Sequence, residues 1–156
     1  MATHLKEGTK APAFTGRDSH GNTVSLSRFR GQKVVLYFYP EDDTPTCTVQ
    51  ACNLRDNHAL LQQKGYVVIG VSPNDVASHE KFIGKYDLPF TLLADPSHTI
   101  INKYGVWGEK VLYGRRYMGL HRTTFIIDEK GIIAKIFLRP RSAYHAGEIL
   151  KAMETR

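Results

Sequence analysis

The most constraining stretch of this chain is a junction. An unbroken apolar run, Val34-Val35-Leu36-Tyr37-Phe38-Tyr39, leads directly into Pro40-Glu41-Asp42-Asp43-Thr44-Pro45-Thr46-Cys47-Thr48-Val49-Gln50-Ala51-Cys52. A short apolar run rich in β-branched and aromatic residues, closed by turn formers, fits a strand buried on both faces. The residues after it have the chemistry of a helix start. Thr44 suits the N-cap, and Pro45 suits the first helical position, where its missing N–H costs nothing. A strand that hands over to a helix in this way commits the chain to an α/β architecture. Cys47 then falls at about the third helical position, among unpaired backbone N–H groups and at the positive end of the helix dipole. That setting favours the thiolate, the nucleophilic form of sulfur.

The rest of the chain repeats the alternation. The turn cluster Asp18-Ser19-His20-Gly21-Asn22 lies between Phe14 and Leu26 and predicts an N-terminal β-hairpin, preceded by a loosely ordered arm over residues 1–12. The helix after Cys47 is expected to run to about Gln63, with Ala51, Leu54, Leu60 and Leu61 inward and Gly65 as its stop. Tyr66 to Val71 reads as a second strand. A helix comes next, carrying His79, Phe82, Ile83 and Tyr86 on one face, and Phe90 to Ala94 is a third strand. Asp95-Pro96 resembles another helix start, leading to Tyr104. Gly105 to Gly119 is expected to be an irregular loop or ribbon. Thr123 to Ile127 and Ile132 to Leu138 form a hairpin around Asp128-Glu129-Lys130-Gly131, and a last helix begins near Ser142. The pattern calls for a single α/β domain over residues 1–156. Its mixed central sheet carries helices on both faces, and a thioredoxin-like fold accommodates that order.

Composition narrows the function. Of 156 residues, 42% are apolar and 23% charged, ordinary for a globular protein that buries its own core. No apolar run approaches the roughly 20 residues of a membrane span. The first residues lack the apolar centre of a signal peptide, so a cytoplasmic location is expected, where paired cysteines serve chemistry more often than structure. The net charge of +6 is spread along the chain, dense only from Lys110 to Arg122, and reads as a solvated surface rather than a nucleic-acid site. The seven histidines form no HxxxH or HExxH pattern, and no nucleotide-binding glycine loop follows any strand. No metal or organic cofactor is expected.

Five positions separate Cys47 from Cys52. On one regular helix their Cα atoms would lie ~8.7 Å apart. That exceeds the roughly 7 Å at which a disulfide closes without backbone movement. Spacing alone leaves three readings open: two buried thiols that never pair, a pair that joins only when the helix unwinds, and a zinc site without a convincing second ligand pair.

The pattern Pro40-x-x-x-Thr44-x-x-Cys47 resembles the active-site signature of the peroxiredoxins. The context Thr44-Pro45-x-Cys47-Thr48-x-x-Ala51-Cys52, followed by Arg55-Asp56, resembles the bacterioferritin comigratory protein (PrxQ) branch. The likeness extends through Gly8-x-x-Ala11-Pro12-x-Phe14, Val34 to Pro40, Lys85-Tyr86-x-Leu88-Pro89-Phe90, Leu93-Ala94-Asp95 and Arg122 to Asp128, nearly the whole chain. Thr46 stands where the branch commonly has Gly, and Gln50 where it commonly has Glu.

The resemblance implies a thiol peroxidase acting on hydrogen peroxide and organic hydroperoxides. Cys47 would be the peroxidatic nucleophile. Cys52 would resolve its sulfenic acid as a disulfide within the same subunit, and thioredoxin or a similar dithiol would recycle it. Arg122 is the expected fixed cation beside the thiolate. Thr44 is expected to cap the Cys47 N–H and turn its own hydrogen toward sulfur or peroxide, and Pro40 to stiffen and shield the loop. An internal resolving cysteine is compatible with a monomer. Two other readings are a non-turnover redox sensor or holdase and a protein thiol–disulfide oxidoreductase; the latter would normally carry C-x-x-C.

Overall fold

The structure is a computed structural model that describes residues 3–154. Its strands are β1 (Thr15–Arg17), β2 (Thr23–Ser25), β3 (Lys33–Phe38), β4 (Tyr66–Ser72), β5 (Thr91–Ala94), β6 (Trp107–Leu112), β7 (Arg115–Leu120), β8 (Thr123–Ile127) and β9 (Ile133–Phe137). Seven of them form a mixed sheet in the order β2-β1-β5-β4-β3-β8-β9, and β6 pairs with β7 apart from it. The central strands β3, β4 and β5 are parallel, while β8 runs antiparallel to β3 with Tyr37 opposite Thr124 and Phe38 opposite Thr123. The helices are α1 (Pro45–Asp56), α2 (His58–Gln63), α3 (Val76–Tyr86), α4 (Thr99–Lys103) and α5 (His145–Glu154). None of the helices is long and apolar enough to cross a membrane, among the described residues.

The two-residue period of β3 decides where everything else packs. Val34, Leu36 and Phe38 point into one core with Phe14, Ile100, Ile101, Tyr104 and Phe125. Val35, Tyr37 and Tyr39 point into the other with Cys47, Ala51, Leu54, Phe82, Leu92 and Ile149. One face therefore carries α1, α2, α3 and α5, and the other carries α4 and the N-terminal segment. The thioredoxin-like arrangement expected from the strand and helix order is present, with the helices distributed unequally. Gly70 on β4 leaves room on the helix-rich face for the side chains of Tyr37 and Leu92, its partners on the two neighbouring strands. A Cβ there would meet Leu92 Cδ2 at 2.7 Å and Tyr37 Cε1 and Cζ at 2.9 Å.

Three expectations change. The arm is not loose over the described part: Gly8 N–H donates to the Ile133 carbonyl (2.7 Å), Ala11 N–H to that of Gly131 (2.9 Å), and Thr3 Oγ1 to that of Tyr104 (2.5 Å). The expectation for residues 1 and 2 lies outside the described residues. The helix after Cys47 breaks at Asn57, whose side chain bonds back to the Asn53 carbonyl at 2.8 Å and competes with the helical ladder. Asp95 does not cap α4 directly. The helix starts only at Thr99, after His98 in the left-handed region (φ 61°), and Asp95 Oδ2 instead accepts the Ile101 N–H at 2.8 Å. Residues 105–119 take the ribbon form of the two expected: β6 and β7 pair antiparallel and turn at Tyr113-Gly114.

Candidate active site

The site lies where β3 delivers the chain into α1. Thr44 has extended backbone angles and Pro45 opens the helix, as the sequence predicts. The Thr44 carbonyl accepts the Thr48 N–H at 2.8 Å, so the first turn is in register and Cys47 occupies its third position. The hydroxyl of Thr44 behaves differently from expectation. It donates to the Glu41 carbonyl (2.9 Å) inside the preceding loop, and the Thr44 side chain caps no helical N–H. Competition from the nearby Glu41 carbonyl accounts for the change.

Cys47 is buried and Cys52 is half-buried, and both are free thiols on α1. Arg122, at the entrance to β8, reaches the sulfur across 75 positions of sequence. Its Nη2 donates to Cys47 Sγ at 3.1 Å, and its Nη1 donates to Gln50 Oε1 at 2.5 Å. One planar fork thus holds the sulfur and a fully buried amide one turn further along the same helix. The contact places a permanently charged guanidinium directly beside the sulfur. Gln50 was visible in the sequence only as a departure from a common Glu. Its role as the acceptor that orients Arg122 follows from the one-turn spacing to Cys47.

Among the described residues, two buried polar atoms near the sulfur have no hydrogen-bond partner: Tyr37 Oη and Gln50 Nε2. Burial raises the Tyr37 phenol well above its ordinary value; electrostatic interaction with Cys47 and Asp42 adds to the effect, and Arg122 opposes it. Tyr37 therefore stays neutral and keeps its hydrogen. It stacks on Tyr39 with ring centroids 5.3 Å apart. Behind Arg122, the fully buried His145 bonds Thr124 Oγ1 (2.8 Å) through Nε2 and Glu148 Oε1 (3.1 Å) through Nδ1. Burial pushes its pKa down; Glu148 opposes this, and Arg122 reinforces it.

Pro40 is half-buried at the mouth of the loop, directly after Tyr39. The loop itself is anchored by side chains with no signature in the sequence. Asp42 accepts from Tyr39 Oη, Ser78 Oγ and His79, and the left-handed Asp43 (φ 58°) accepts from Lys85 Nζ and Tyr86 Oη, both at 2.7 Å. The Lys85 and Tyr86 bonds hold the Asp43 carboxyl below its usual range. At its far end α1 is tied by Asn53 to α5 and to the turn before it: Asn53 accepts the Ala146 N–H (2.8 Å) and donates to the Ala143 carbonyl (3.0 Å). Among the described residues no three His, Cys, Asp or Glu side chains cluster as a metal site.

Residues 8–136 match the AhpC/TSA family. The chain belongs to the peroxiredoxin family. It is 50% identical over 133 residues to a Bcp peroxiredoxin of Haemophilus influenzae, covering 85% of this chain and 86% of that one. Its identity to the Bcp peroxiredoxin of Coxiella burnetii is 44% over 146 residues, covering 94% and 97%. The bacterioferritin comigratory protein of Xanthomonas campestris, solved as a trapped intermediate/ligand complex and described for its alkyl peroxide reduction activity, superposes with a TM-score of 0.85. That match is 28% identical and covers 91% of this chain and 90% of the other. The branch is therefore Bcp/PrxQ, and the chain is a peroxiredoxin enzyme.

Proposed function

We propose that Cys47 is the peroxidatic nucleophile and Cys52 its resolving partner in a single peroxidase domain spanning residues 1–156. The observation that carries the reading is the Arg122 guanidinium, 3.1 Å from Cys47 Sγ. The Cys47 thiolate attacks the terminal oxygen of a hydroperoxide, the O–O bond breaks, and the leaving alkoxide or hydroxide departs as alcohol or water. Arg122 spans the sulfur and the developing charge on the oxygens, and the N–H groups of the first turn of α1 add to this electrostatic stabilisation. Pro40 and Thr44 shape the loop against which the peroxide lies. The product is a Cys47 sulfenic acid.

Cys52 thiolate then attacks Cys47 sulfur, the S–S bond forms, and hydroxide leaves as water. On an intact α1 this bond is out of reach, so resolution requires part of the helix to unwind. An external dithiol of the thioredoxin kind supplies the two electrons that return both thiols. Hydrogen peroxide and organic hydroperoxides are the proposed substrates; the alkyl peroxide activity named for the Xanthomonas campestris protein supports the second class. Both cysteines lie on one helix of one chain, so a monomer working in the cytoplasm suffices for the cycle. Cys47→Ser is expected to abolish dithiol-coupled peroxide consumption, and near-wild-type activity in that variant would defeat the assignment. Repeated turnover separates this reading from a sensor, which needs only one oxidation.

A further inference from the structure

His79 is fully buried on α3, and each of its ring nitrogens is engaged. Nε2 lies 2.9 Å from the Leu93 carbonyl on β5, and a carbonyl only accepts, so this nitrogen carries a hydrogen. Nδ1 lies 2.7 Å from Asp42 Oδ2. The Asp42 side chain is 4% exposed although Glu41 and Asp43 on either side of it are exposed. It also receives Ser78 Oγ at 2.7 Å and Tyr39 Oη at 2.5 Å, and its backbone N–H donates to Asn74 Oδ1 at 2.9 Å. Asn74 Oδ1 in turn accepts from Ser72 Oγ at 2.8 Å.

One carboxylate in the middle of the Pro40–Thr44 loop is thus bonded to the end of β3 and to α3, and through His79 to β5. Nothing in the sulfur chemistry requires an acid–imidazole pair at this place. Buried ionisable pairs are often no more stabilising than apolar replacements, so their usefulness lies in fixing geometry. The geometry in question is the far wall of the peroxide site. The loop ends at Thr44, whose carbonyl sets the first turn of α1 and hence the placement of Cys47.

We propose that His79, acting through Asp42, is a positioning residue that holds the Pro40–Thr44 loop in place while α1 rearranges. The proposal rests on the peroxidase reading above. With the loop anchored to α3 and the far part of α1 anchored to α5 through Asn53, unwinding is confined to the segment from Pro45 to Cys52. The loop that receives the next peroxide never has to be rebuilt.

The test separates oxidation of Cys47 from resolution by rapid-quench mass spectrometry, in wild type, His79→Leu, His79→Asn and Ser78→Ala. Leu removes both ring bonds, whereas the Asn amide places a donor near the Nδ1 position. A misplacement of order 1 Å costs up to about a hundredfold in rate. His79→Leu is therefore expected to slow the second-order oxidation step roughly ten- to a hundredfold while the first-order resolution step stays within about twofold. His79→Asn should recover part of the loss. Hydrogen exchange on the oxidised wild type should show amides from Cys47 to Cys52 deprotected and those of Asp42, Ser78 and His79 unchanged. A folded His79→Leu that oxidises at the wild-type rate overturns the proposal, as does loop exchange rising together with the helix. Where His79→Leu fails to fold, His79→Asn and Ser78→Ala carry the kinetic comparison: a slower oxidation step alone supports the proposal, and wild-type oxidation in both defeats it. A wild type whose Cys47 does not react with peroxide would instead refute the peroxidase assignment itself.

Discussion

Replacing Arg122 by Met removes the cation and keeps most of the side-chain bulk. At 3.1 Å and an effective dielectric of about 20, attraction between a guanidinium and a thiolate is ~5 kcal/mol before any compensation. Water and the helix N-terminus recover part of this, and loss of one charge-stabilising donor in an active site typically costs about a hundred- to a thousandfold. Arg122→Met is therefore expected to slow Cys47 oxidation by about 3–4 kcal/mol in activation free energy. Arg122→Lys keeps the charge, yet a single ammonium cannot also span to Gln50 Oε1, now 2.5 Å from Nη1. It should fall between wild type and Met. The assay is stopped-flow measurement of the second-order rate with hydrogen peroxide, alongside a thermal melt to confirm folding. A folded Arg122→Met variant within about threefold of wild type would refute the electrostatic role of Arg122.

Other outcomes rest on the same geometry. Asn53→Ala deletes one bond from α1 to α5 and one to the turn just before it, so the disulfide-forming step should accelerate while stability falls by about 1–3 kcal/mol, read by quench kinetics and urea unfolding. Gly70→Ala drives a methyl against Leu92 and Tyr37 and should cost about 1–3 kcal/mol, checked by denaturant midpoint. His145 has its pKa pushed below the ordinary 6.5, so below that pH the unfolded chain takes up a proton that the folded chain resists. Its effect is absent above 6.5 and stability drops as pH falls beneath it. The decline in melting temperature between about pH 7.5 and 5.5 should be shallower in His145→Gln, and an unchanged decline would contradict the assignment.

The sheet and its helices were legible because burial has a period. Val34 through Tyr39 alternate between two cores, and His79 and Phe82 mark the inner face of α3. The β6–β7 ribbon was not legible as strands, because Val111, Leu112, Tyr113, Tyr117 and Met118 are all exposed and leave no face to read. The break at Asn57 and the late start of α4 depend on side chain-to-backbone bonds that composition does not announce. In the site, the helix start and Cys47 came from local sequence, and Arg122 came from resemblance. Gln50 as acceptor, the Asp42–His79 pair and the Asn53 tie join residues 37 to 93 positions apart, or act through a third residue, and required the fold. A histidine on the buried face of α3 was the one available signal, since such a group must find partners for both nitrogens.

If Cys47 and Cys52 form one catalytic pair within one chain, a single oxidation must join them. Treating the reduced protein with one equivalent of hydrogen peroxide, measuring its intact mass and then mapping its peptides puts that pairing to the proof. The expected result is a loss of about two mass units, with Cys47 joined to Cys52 in the same monomer. A stable sulfinate on Cys47, or a bridge between two chains, would contradict the pairing.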